Sequence, residues 1–238
     1  LNVINDILDF SRIEAGKLGL ESVAFNLRDS VEDLLATQDI RATDKGIRFT
    51  SEISESVPDA LVGDSGRLRQ ILLNLISNAI KFTTQGQVDV RVGVQEQTEN
   101  EVILHAEVAD TGIGIPADKQ RTIFDAFAQA DSSTTRQYGG TGLGLTISAQ
   151  LVALMGGRLW VDSEVGRGSC FHFTVRLGLN DGAVSANTGP LPDAGASPVR
   201  DSGEFRPLRV LLAEDSAVNQ RLAVALLETR GHSVATAE

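Results

Sequence analysis

One predicted helix carries polar side chains that suit a metal ion or a phosphate group. Asp64 is a typical helix N-cap, and the residues from there to about Phe82 place apolar side chains at helical spacing. Four polar side chains fall within about 80° of one another at about 100° per residue: Gln70, Asn74, Asn78 and Lys81. Amide oxygens are ligands that Mg²⁺ accepts. An ordinary solvated face is the alternative, although such faces favour Glu, Lys and Arg over asparagine.

A carboxylate and two glycines follow a predicted strand at 101–109. The segment reads Asp110-Thr-Gly-Ile-Gly, and Gly112 and Gly114 allow the backbone to turn sharply and to approach a ligand closely. A carboxylate at the end of a strand can accept a hydrogen bond from an exocyclic amine. An Asx turn explains the same residues without a ligand, so this segment alone leaves both interpretations open.

A glycine-rich segment precedes and begins the helix predicted at 143–155. It reads Gly139-Gly-Thr-Gly-Leu-Gly-Leu, and the free N–H groups at the start of the following helix would form a phosphate site. The spacing matches neither the P-loop pattern nor the dinucleotide-binding fingerprint. A flexible hinge is the alternative that these residues leave open.

The order of these segments resembles the ATP-binding domain of sensor histidine kinases. Asn74-Leu-Ile-Ser-Asn-Ala-Ile-Lys-Phe-Thr is similar to the N box of that family, and Asp110-Thr-Gly-Ile-Gly-Ile to its first glycine box. Ile123-Phe-Asp-Ala-Phe resembles the F box, and Gly140-Thr-Gly-Leu-Gly-Leu resembles the second glycine box. The resemblance covers residues 1–177.

The resemblance assigns roles to the polar helix and to the carboxylate. Asn78 would ligate the Mg²⁺ that bridges the phosphates of ATP, with Asn74 beside it, and Lys81 would neutralise phosphate charge. Asp110 would accept a hydrogen bond from the adenine amine, the contact that selects ATP. The implied reaction transfers the γ-phosphoryl group to a histidine nitrogen, and positioning and charge stabilisation supply most of its rate.

The glycine boxes and the segment between them would enclose the nucleotide. Gly112 and Gly114 would let the chain pass close to the base. Residues 116–138 would form a mobile lid, from which Arg136 reaches the γ-phosphate. The resemblance places five residues of the second glycine box at the triphosphate: Gly140, Thr141, Gly142, Leu143 and Gly144.

The beginning of the chain resembles part of a dimerisation hairpin. The segment starting Ile4-Asn-Asp-Ile-Leu-Asp-Phe-Ser is similar to the second helix of that hairpin in the kinase family. The parent protein is therefore expected to be a homodimer through the hairpin. The first hairpin helix, which holds the phosphoacceptor histidine, is absent, so the sequence looks like part of a longer protein.

The end of the chain resembles a second family, the response-regulator receiver. Leu208-Arg-Val-Leu-Leu-Ala-Glu-Asp-Ser is similar to the first receiver strand, so Glu214 and Asp215 would be Mg²⁺ ligands. A helix at 217–230 and the start of a second strand at 232–236 fit a doubly wound fold. The receiver's phosphoacceptor aspartate would lie beyond residue 238. The resemblance implies a hybrid histidine kinase that relays phosphate to a receiver domain or response regulator.

The predicted fold class is α+β, a layered sandwich in which helices cover one face of a mixed sheet. Helices are expected at 1–17, 28–43, 64–82 and 143–155, and strands at 18–27, 47–53, 88–94, 101–109, 158–162 and 171–177. The expected domains are the hairpin helix at 1–17, the ATP-binding domain at 18–177, a flexible proline-rich linker at 178–206 and a truncated α/β receiver start at 207–238.

Composition limits the remaining function classes. The 238 residues carry a formal net charge of −11, which disfavours nucleic acid and anionic membranes as partners. No apolar run approaches the ~18 residues of a membrane span, so this part is expected to be cytoplasmic, in a parent that could be anchored in the inner membrane. Cys170 is the single cysteine, which excludes an internal disulfide and a cysteine metal cluster. His105, His172 and His232 lie far apart in sequence, in no ligand-like spacing, and are expected to be structural.

Two other functions stand as alternatives to a histidine kinase. Chaperone and topoisomerase ATPases share the implied nucleotide fold and act as ATP-driven clamps. They usually carry a glutamate near the asparagine position, whereas residues 70–78 contain no acidic side chain. A nucleotide-sensing scaffold without catalysis is the third interpretation, and the intact sequence boxes do not favour it.

Overall fold

The computed structural model describes residues 2–126, 142–180, 209–213 and 233–237, and the chain divides into two compact units, 1–187 and 188–238. The helices of the first unit are α1 (Asn2–Glu14), α2 (Leu27–Asp44), α3 (Ser65–Phe82) and α4 (Gly144–Leu154), with a 3-10 helix at Thr122–Phe124. Its strands are β1 (Val23–Asn26), β2 (Ile47–Ile53), β3 (Ala60–Gly63), β4 (Gly86–Gln97), β5 (Glu101–Asp110), β6 (Leu159–Glu164) and β7 (Gly168–Leu179). The second unit contributes β8 (Arg209–Ala213) and β9 (Ser233–Ala237).

The first unit is built on one 7-stranded mixed sheet. The strand order is β1-β3-β7-β5-β4-β2, and β6 pairs with β7. β2 and β4 run parallel, whereas the other neighbouring strands run antiparallel. This arrangement confirms the α+β class with a mixed sheet.

Alternation along β5 separates the two faces of the sheet. Its alternate apolar side chains join the core beneath the helices: Val102, Leu104, Ala106 and Val108. The residues between them, His105 and Glu107 among them, are only partly buried and lie on the opposite face. We call the face that carries His105 and Glu107 the outer face of the sheet.

The bounds of α3 agree with the sequence prediction because its ends are locally encoded. The Asp64 side chain caps the helix, with Oδ1 accepting a hydrogen bond from the backbone N–H of Arg67 at 2.9 Å. At the other end, Thr83 turns to an extended backbone and its hydroxyl donates to the carbonyl of Ala79 at 2.8 Å. The helix therefore presents its polar stripe in a fixed register.

The predicted strand at 18–27 was too long. β1 pairs with β3 only from Val23 to Asn26. It stops there because Asn26 caps α2, with Oδ1 accepting from the backbone N–H of Asp29 at 3.1 Å. β3, at Ala60–Gly63, was not predicted at all, since it has 4 residues and its pairing partners are distant in sequence.

α1 is shorter than its prediction of 1–17. Gly16 has a φ of +63°, the left-handed conformation that commonly ends a helix. The backbone N–H of Gly16 donates to the carbonyl of Ile13 at 2.9 Å, and that of Lys17 to the carbonyl of Arg12 at 2.8 Å. These bonds close the helix after Glu14.

The second unit contains a parallel strand pair. β8 and β9 pair from Arg209 opposite Ser233 to Ala213 opposite Ala237. This pairing agrees with the two strands predicted at the end of the chain, whereas the helix predicted at 217–230 lies outside the described residues. In the first unit, β7 continues to Leu179, past the predicted domain end at 177. Within the described ranges, no helix is both long and apolar enough to span a bilayer.

Candidate functional site

Hydrogen bonds join the two asparagines of α3 to α4. Asn74 donates from Nδ2 to the hydroxyl of Ser148 at 2.9 Å, and Asn78 donates from Nδ2 to Oδ1 of Asn74 at 3.4 Å. Both asparagines are half-buried. This part of the stripe is therefore a polar seam between two helices rather than a solvated face.

Gly144, the first residue of α4, lies directly against Asn74. A Cβ at this position would overlap Oδ1 of Asn74 and would lie 3.1 Å from its Cγ. The preceding Gly142 has a φ of +70°, which a glycine adopts readily. Glycines therefore let the positive end of the α4 dipole approach the amides of α3, as an anion site requires.

The Asp110 carboxylate is held at the end of β5 by its own loop. Its Oδ1 accepts a hydrogen bond from the backbone N–H of Gly112 at 2.7 Å. Burial raises the pKa of the Asp110 carboxyl, while the backbone N–H groups of Gly112 and Ser169 act in the opposite direction. In such a partly desolvated place, a hydrogen bond to a ligand amine is stronger than it would be in water.

The loop after Asp110 passes over the end of α3. A Cβ at Gly112 would lie 2.5 Å from the backbone oxygen of Phe82. Gly114 has a φ of +70°, and a Cβ there would overlap the backbone oxygen of Glu164. Close approach of the backbone thus explains both glycines, and the approach at Gly112 brings the Asp110 loop to the same helix that carries the asparagines.

Lys81 lies in the last turn of α3, close to this loop. Its ammonium lies 4.9 Å from the centroid of the Phe82 ring, and burial lowers its pKa. The other member of the predicted stripe, Gln70, points elsewhere: its Nε2 donates to Oδ2 of Asp9 in α1 at 2.8 Å. Arg67 donates to the same oxygen at 2.9 Å, so this end of the stripe holds α1.

The first part of the predicted lid packs against the domain. In residues 116–126, the amide of Gln120 donates to the carbonyls of Ile115 and Ser163 at 3.0 and 2.8 Å. Ile123 is 7% exposed and belongs to the core. These contacts hold the described part of the segment in place, and the mobility expected of the lid is untested.

Several predicted site residues have no described position. Arg136, Gly140 and Thr141 fall in the gap between 126 and 142, and Glu214 and Asp215 fall in the gap after 213. Their roles remain expectations from the resemblance. The described members of the set, by contrast, converge on α3 from β5 and from α4.

Sequence reasoning missed two residues that shape the site. Ser148 accepts the hydrogen bond of Asn74, and no motif distinguishes this serine within the apolar helix. Gly168 lies between the strands predicted at 158–162 and 171–177 and was given no role. Its φ is +108° and a Cβ there would overlap the backbone oxygen of Asp110, so its positive φ marks a site constraint.

Residues 63–179 match the family described as "Histidine kinase-, DNA gyrase B-, and HSP90-like ATPase", and this domain belongs to that family. All described members of the candidate site lie within the matched residues. Within this family of ATPases, the similar proteins described next are histidine kinases, so the domain is of the ATP-binding catalytic type found in histidine kinases.

Two relatives and one solved structure illustrate the similarity. The chain is 45% identical over 184 residues to the signal transduction histidine-protein kinase BarA of Escherichia coli, covering 77% of this chain and 20% of BarA. It is 41% identical over 238 residues to the sensor histidine kinase AruS of Pseudomonas aeruginosa, covering 100% of this chain and 22% of AruS. Full-length ShkA, crystallised with AMPPNP, is 29% identical with a TM-score of 0.64, covering 99% of this chain and 45% of that one. The chain thus spans about a fifth of the length of these kinase relatives.

Proposed function

We propose that the first compact unit binds Mg²⁺-ATP and transfers its γ-phosphoryl group to a histidine in the dimerisation hairpin of a hybrid sensor histidine kinase. One observation carries the proposal: Gly144 lies against Asn74 and Gly112 against the end of α3. Three motifs that are separate in sequence therefore converge in the arrangement that a nucleotide needs.

Asp110 is proposed to bind the adenine. Its carboxylate already accepts the Gly112 N–H through Oδ1, and a carboxylate oxygen can accept further hydrogen bonds. Gly112 and Gly114 leave no side chain between this loop and a planar base. A guanine would present a carbonyl in place of the amine and would be repelled, so the contact selects ATP.

The triphosphate is proposed to lie between α3 and the start of α4. Asn78, with Asn74 beside it, offers amide oxygens, and these suit Mg²⁺. The ion would neutralise charge on the phosphates, and Lys81 would add a fixed cation. Backbone N–H groups at Gly142, Leu143 and Gly144 would face the anion. The resemblance adds Arg136, Gly140 and Thr141 to this set.

The proposed reaction breaks the bond between the β–γ bridging oxygen and the γ-phosphorus and forms a bond from phosphorus to an imidazole nitrogen. ADP leaves with the bridging oxygen. The residues of this chain act by positioning and by charge stabilisation. The hairpin of a homodimeric parent would supply the histidine, and a receiver with Glu214 and Asp215 as Mg²⁺ ligands would accept the phosphoryl group later. Use of cellular ATP implies a cytoplasmic location for this part of the protein.

An ATP-driven clamp is the competing function within the same family. Water attack in such clamps is usually activated by a glutamate near the asparagine position, and the whole of α3 carries no acidic side chain. The hydroxyl partner of Asn74 is likewise not a base. These features support phosphoryl transfer over rapid hydrolysis.

Nucleotide binding is tested by Asp110→Asn, which presents a donor where the adenine amine needs an acceptor. We expect ATP affinity to fall about ten- to a hundredfold, the effect of losing a hydrogen bond to a charged group. Asp89→Asn, on neighbouring β4, is the matched control and should bind ATP normally. Calorimetry that shows equal affinity for Asp110→Asn and the unchanged chain would refute the assignment.

Phosphoryl transfer is tested separately with γ-labelled ATP and an added dimerisation hairpin that contains its histidine. Base-stable label is expected on the hairpin and not on His105 or His172 of this chain. Label on neither protein, with rapid phosphate release, would favour the clamp. Retained ATP binding without either product would favour a sensing scaffold.

A further inference from the structure

Two histidines meet on the outer face of the sheet, on the neighbouring strands β5 and β7. Nδ1 of His172 lies 3.3 Å from Nε2 of His105, although 67 residues separate them. The sequence spacing of the two histidines gave no sign of this contact. Glu107 is directly opposite His172 in the strand register, and its Oε1 lies 3.6 Å from His172 Nδ1. Two nitrogens and one carboxylate oxygen therefore converge.

The two imidazole nitrogens have the separation of two ligands on a tetrahedral metal ion, and the Glu107 carboxylate lies beside both rings. One ligand atom from each of the three side chains lies within 4.8 Å of the other two. Two nitrogens bound to Zn²⁺ at 2.0–2.1 Å in a tetrahedron stand roughly 3.3–3.4 Å apart, and the observed separation is 3.3 Å. We propose that His105 Nε2, His172 Nδ1 and Glu107 Oε1 bind a divalent transition-metal ion such as Zn²⁺, with water completing the coordination.

A second carboxylate orients the more buried histidine. Nε2 of His172 lies 3.3 Å from Oδ2 of Asp162 on β6. Metal-binding imidazoles characteristically donate their other N–H to such a carboxylate, which fixes the tautomer that presents a lone pair to the ion. The side chain of His172 is 14% exposed and that of Asp162 is 77% exposed. The ion would therefore bind to an imidazole ring that is largely buried and held in place by an exposed carboxylate.

An aromatic ring limits the movement of both histidines. The indole of Trp160 stacks on His172 with centroids 5.1 Å apart and on His105 with centroids 5.5 Å apart. On the other side, Gly93 lies opposite His105 in β4, and a Cβ there would have no neighbour within 4 Å. The cluster is therefore held from one side and open to solvent from another, as a site that exchanges an ion with solution requires.

Two carboxylates and two guanidinium groups surround the cluster. Glu107 and Asp162 supply two negative charges, while Arg158 lies over Trp160 at 4.4 Å and Arg91 is opposite Glu107 in the register. Burial, and after it these two carboxylates, raise the pKa of the nearby Cys170 thiol to about 11 in the metal-free chain. Imidazole favours Zn²⁺, Ni²⁺ or Cu²⁺ over Mg²⁺, which distinguishes this site from the ATP site.

The test titrates the whole 238-residue chain with Zn²⁺ and with the spectroscopic substitute Co²⁺, without nucleotide. Visible absorption of tetrahedral Co²⁺ is expected, and Zn²⁺ should abolish it. Zn²⁺ at about a hundred times its dissociation constant should raise the Tm by about 5–10 °C, and Mg²⁺ should not. A chain that gives no Co²⁺ spectrum and no Zn²⁺-dependent Tm shift overturns the proposal.

Variants assign the ligands. His105→Ala and Glu107→Gln should each weaken Zn²⁺ binding by at least about tenfold, and Asp162→Asn by about ten- to a hundredfold, as an outer carboxylate does. Because Asp162 is exposed, the Asp162→Asn variant should fold, and it tests the site even if a ligand variant fails to fold. Glu101→Gln is the matched control, since Glu101 lies on the same strand and face but pairs with Arg176 at 2.8 Å. Equal affinity in all variants, or equal loss in the control, refutes the site and indicates surface binding.

Discussion

The two faces of strand β5 carry two different kinds of site. At the end of the strand, Asp110 lies in a loop in which Gly112 lies against the end of α3 and Gly114 against the end of β6. On the outer face, His105 and Glu107 project beside His172 without any glycine constraint. The first arrangement depends on close contacts of the backbone at glycines. The second depends only on side chains that the pairing of β5 with β7 places beside one another. Tolerance to substitution should therefore differ sharply between the two.

The largest effect is expected from Gly168→Ala, at the start of β7. The φ of +108° and the overlap of a Cβ with the Asp110 backbone oxygen should together cost about 2–4 kcal/mol of unfolding free energy. Urea unfolding measures this. Gly166→Ala is the control, because its φ is +80° but a Cβ would have no neighbour within 4 Å. Equal losses in both variants would show that the contact with Asp110 is irrelevant.

The next largest effect is expected on ATP affinity rather than on the free energy of unfolding. Gly144→Ala should push the start of α4 away from Asn74 and weaken ATP binding by at least about tenfold, the effect of one lost charge-assisted hydrogen bond. Gly66→Ala, in the first turn of α3, places its Cβ at an ordinary 3.4 Å from Asp64 and should bind ATP normally. Calorimetry measures the ATP affinity of both variants. An unchanged affinity in Gly144→Ala would show that the start of α4 does not contribute to the phosphate site.

A third prediction uses the raised pKa of Asp110 in the nucleotide-free chain. Because burial makes this carboxyl harder to ionise in the folded state, its favourable contribution is present below pH 3.8, the ordinary pKa, and is lost as the pH rises through the folded pKa. Asp110→Asn should therefore raise the Tm at pH 7 while it weakens ATP binding. Thermal melts from pH 8 down to pH 4 should show that gain shrinking, and a gain that is constant across this range would contradict the cause.

The smallest effect is expected on the outer face. Gly93→Ala in β4 adds a methyl group where a Cβ has no neighbour within 4 Å, and it should stabilise the strand by about 0.5 kcal/mol through reduced unfolded-state entropy. Urea unfolding beside Gly168→Ala gives the direct comparison. A loss above about 1 kcal/mol would mean that the outer face is as constrained as the nucleotide side.

The sequence predicted those features whose signals are local. α3 was predicted in its full extent because Asp64 caps it and its apolar face is periodic. The sequence placed glycines at 112, 114 and 144, and at each of them the structure leaves no room for a Cβ. The structure brings four of the residues singled out in the sequence together beside α3: Asn74, Asp110, Gly112 and Gly144. Their roles in nucleotide binding stay predictions.

Features that depend on pairing between distant strands were not predictable in this way. β3 has 4 residues and gains its conformation from β1 and β7. The contact between His105 and His172 depends on the register of β5 against β7. A shift of one residue would place one of the two histidines on the opposite face, and no local pattern distinguishes these registers.

The bridge between α1 and α3 makes the site sensitive to rotation of the first helix. A single carboxylate oxygen of Asp9 receives donors from both Arg67 and Gln70. Because successive helical positions differ by about 100°, turning α1 by one residue would carry Asp9 away from both donors at once. Gln70 lies one turn before Asn74 on the helix that carries the asparagines. In one rotational position of α1, Asp9 therefore holds this part of α3 in place, and in another position both hydrogen bonds are lost.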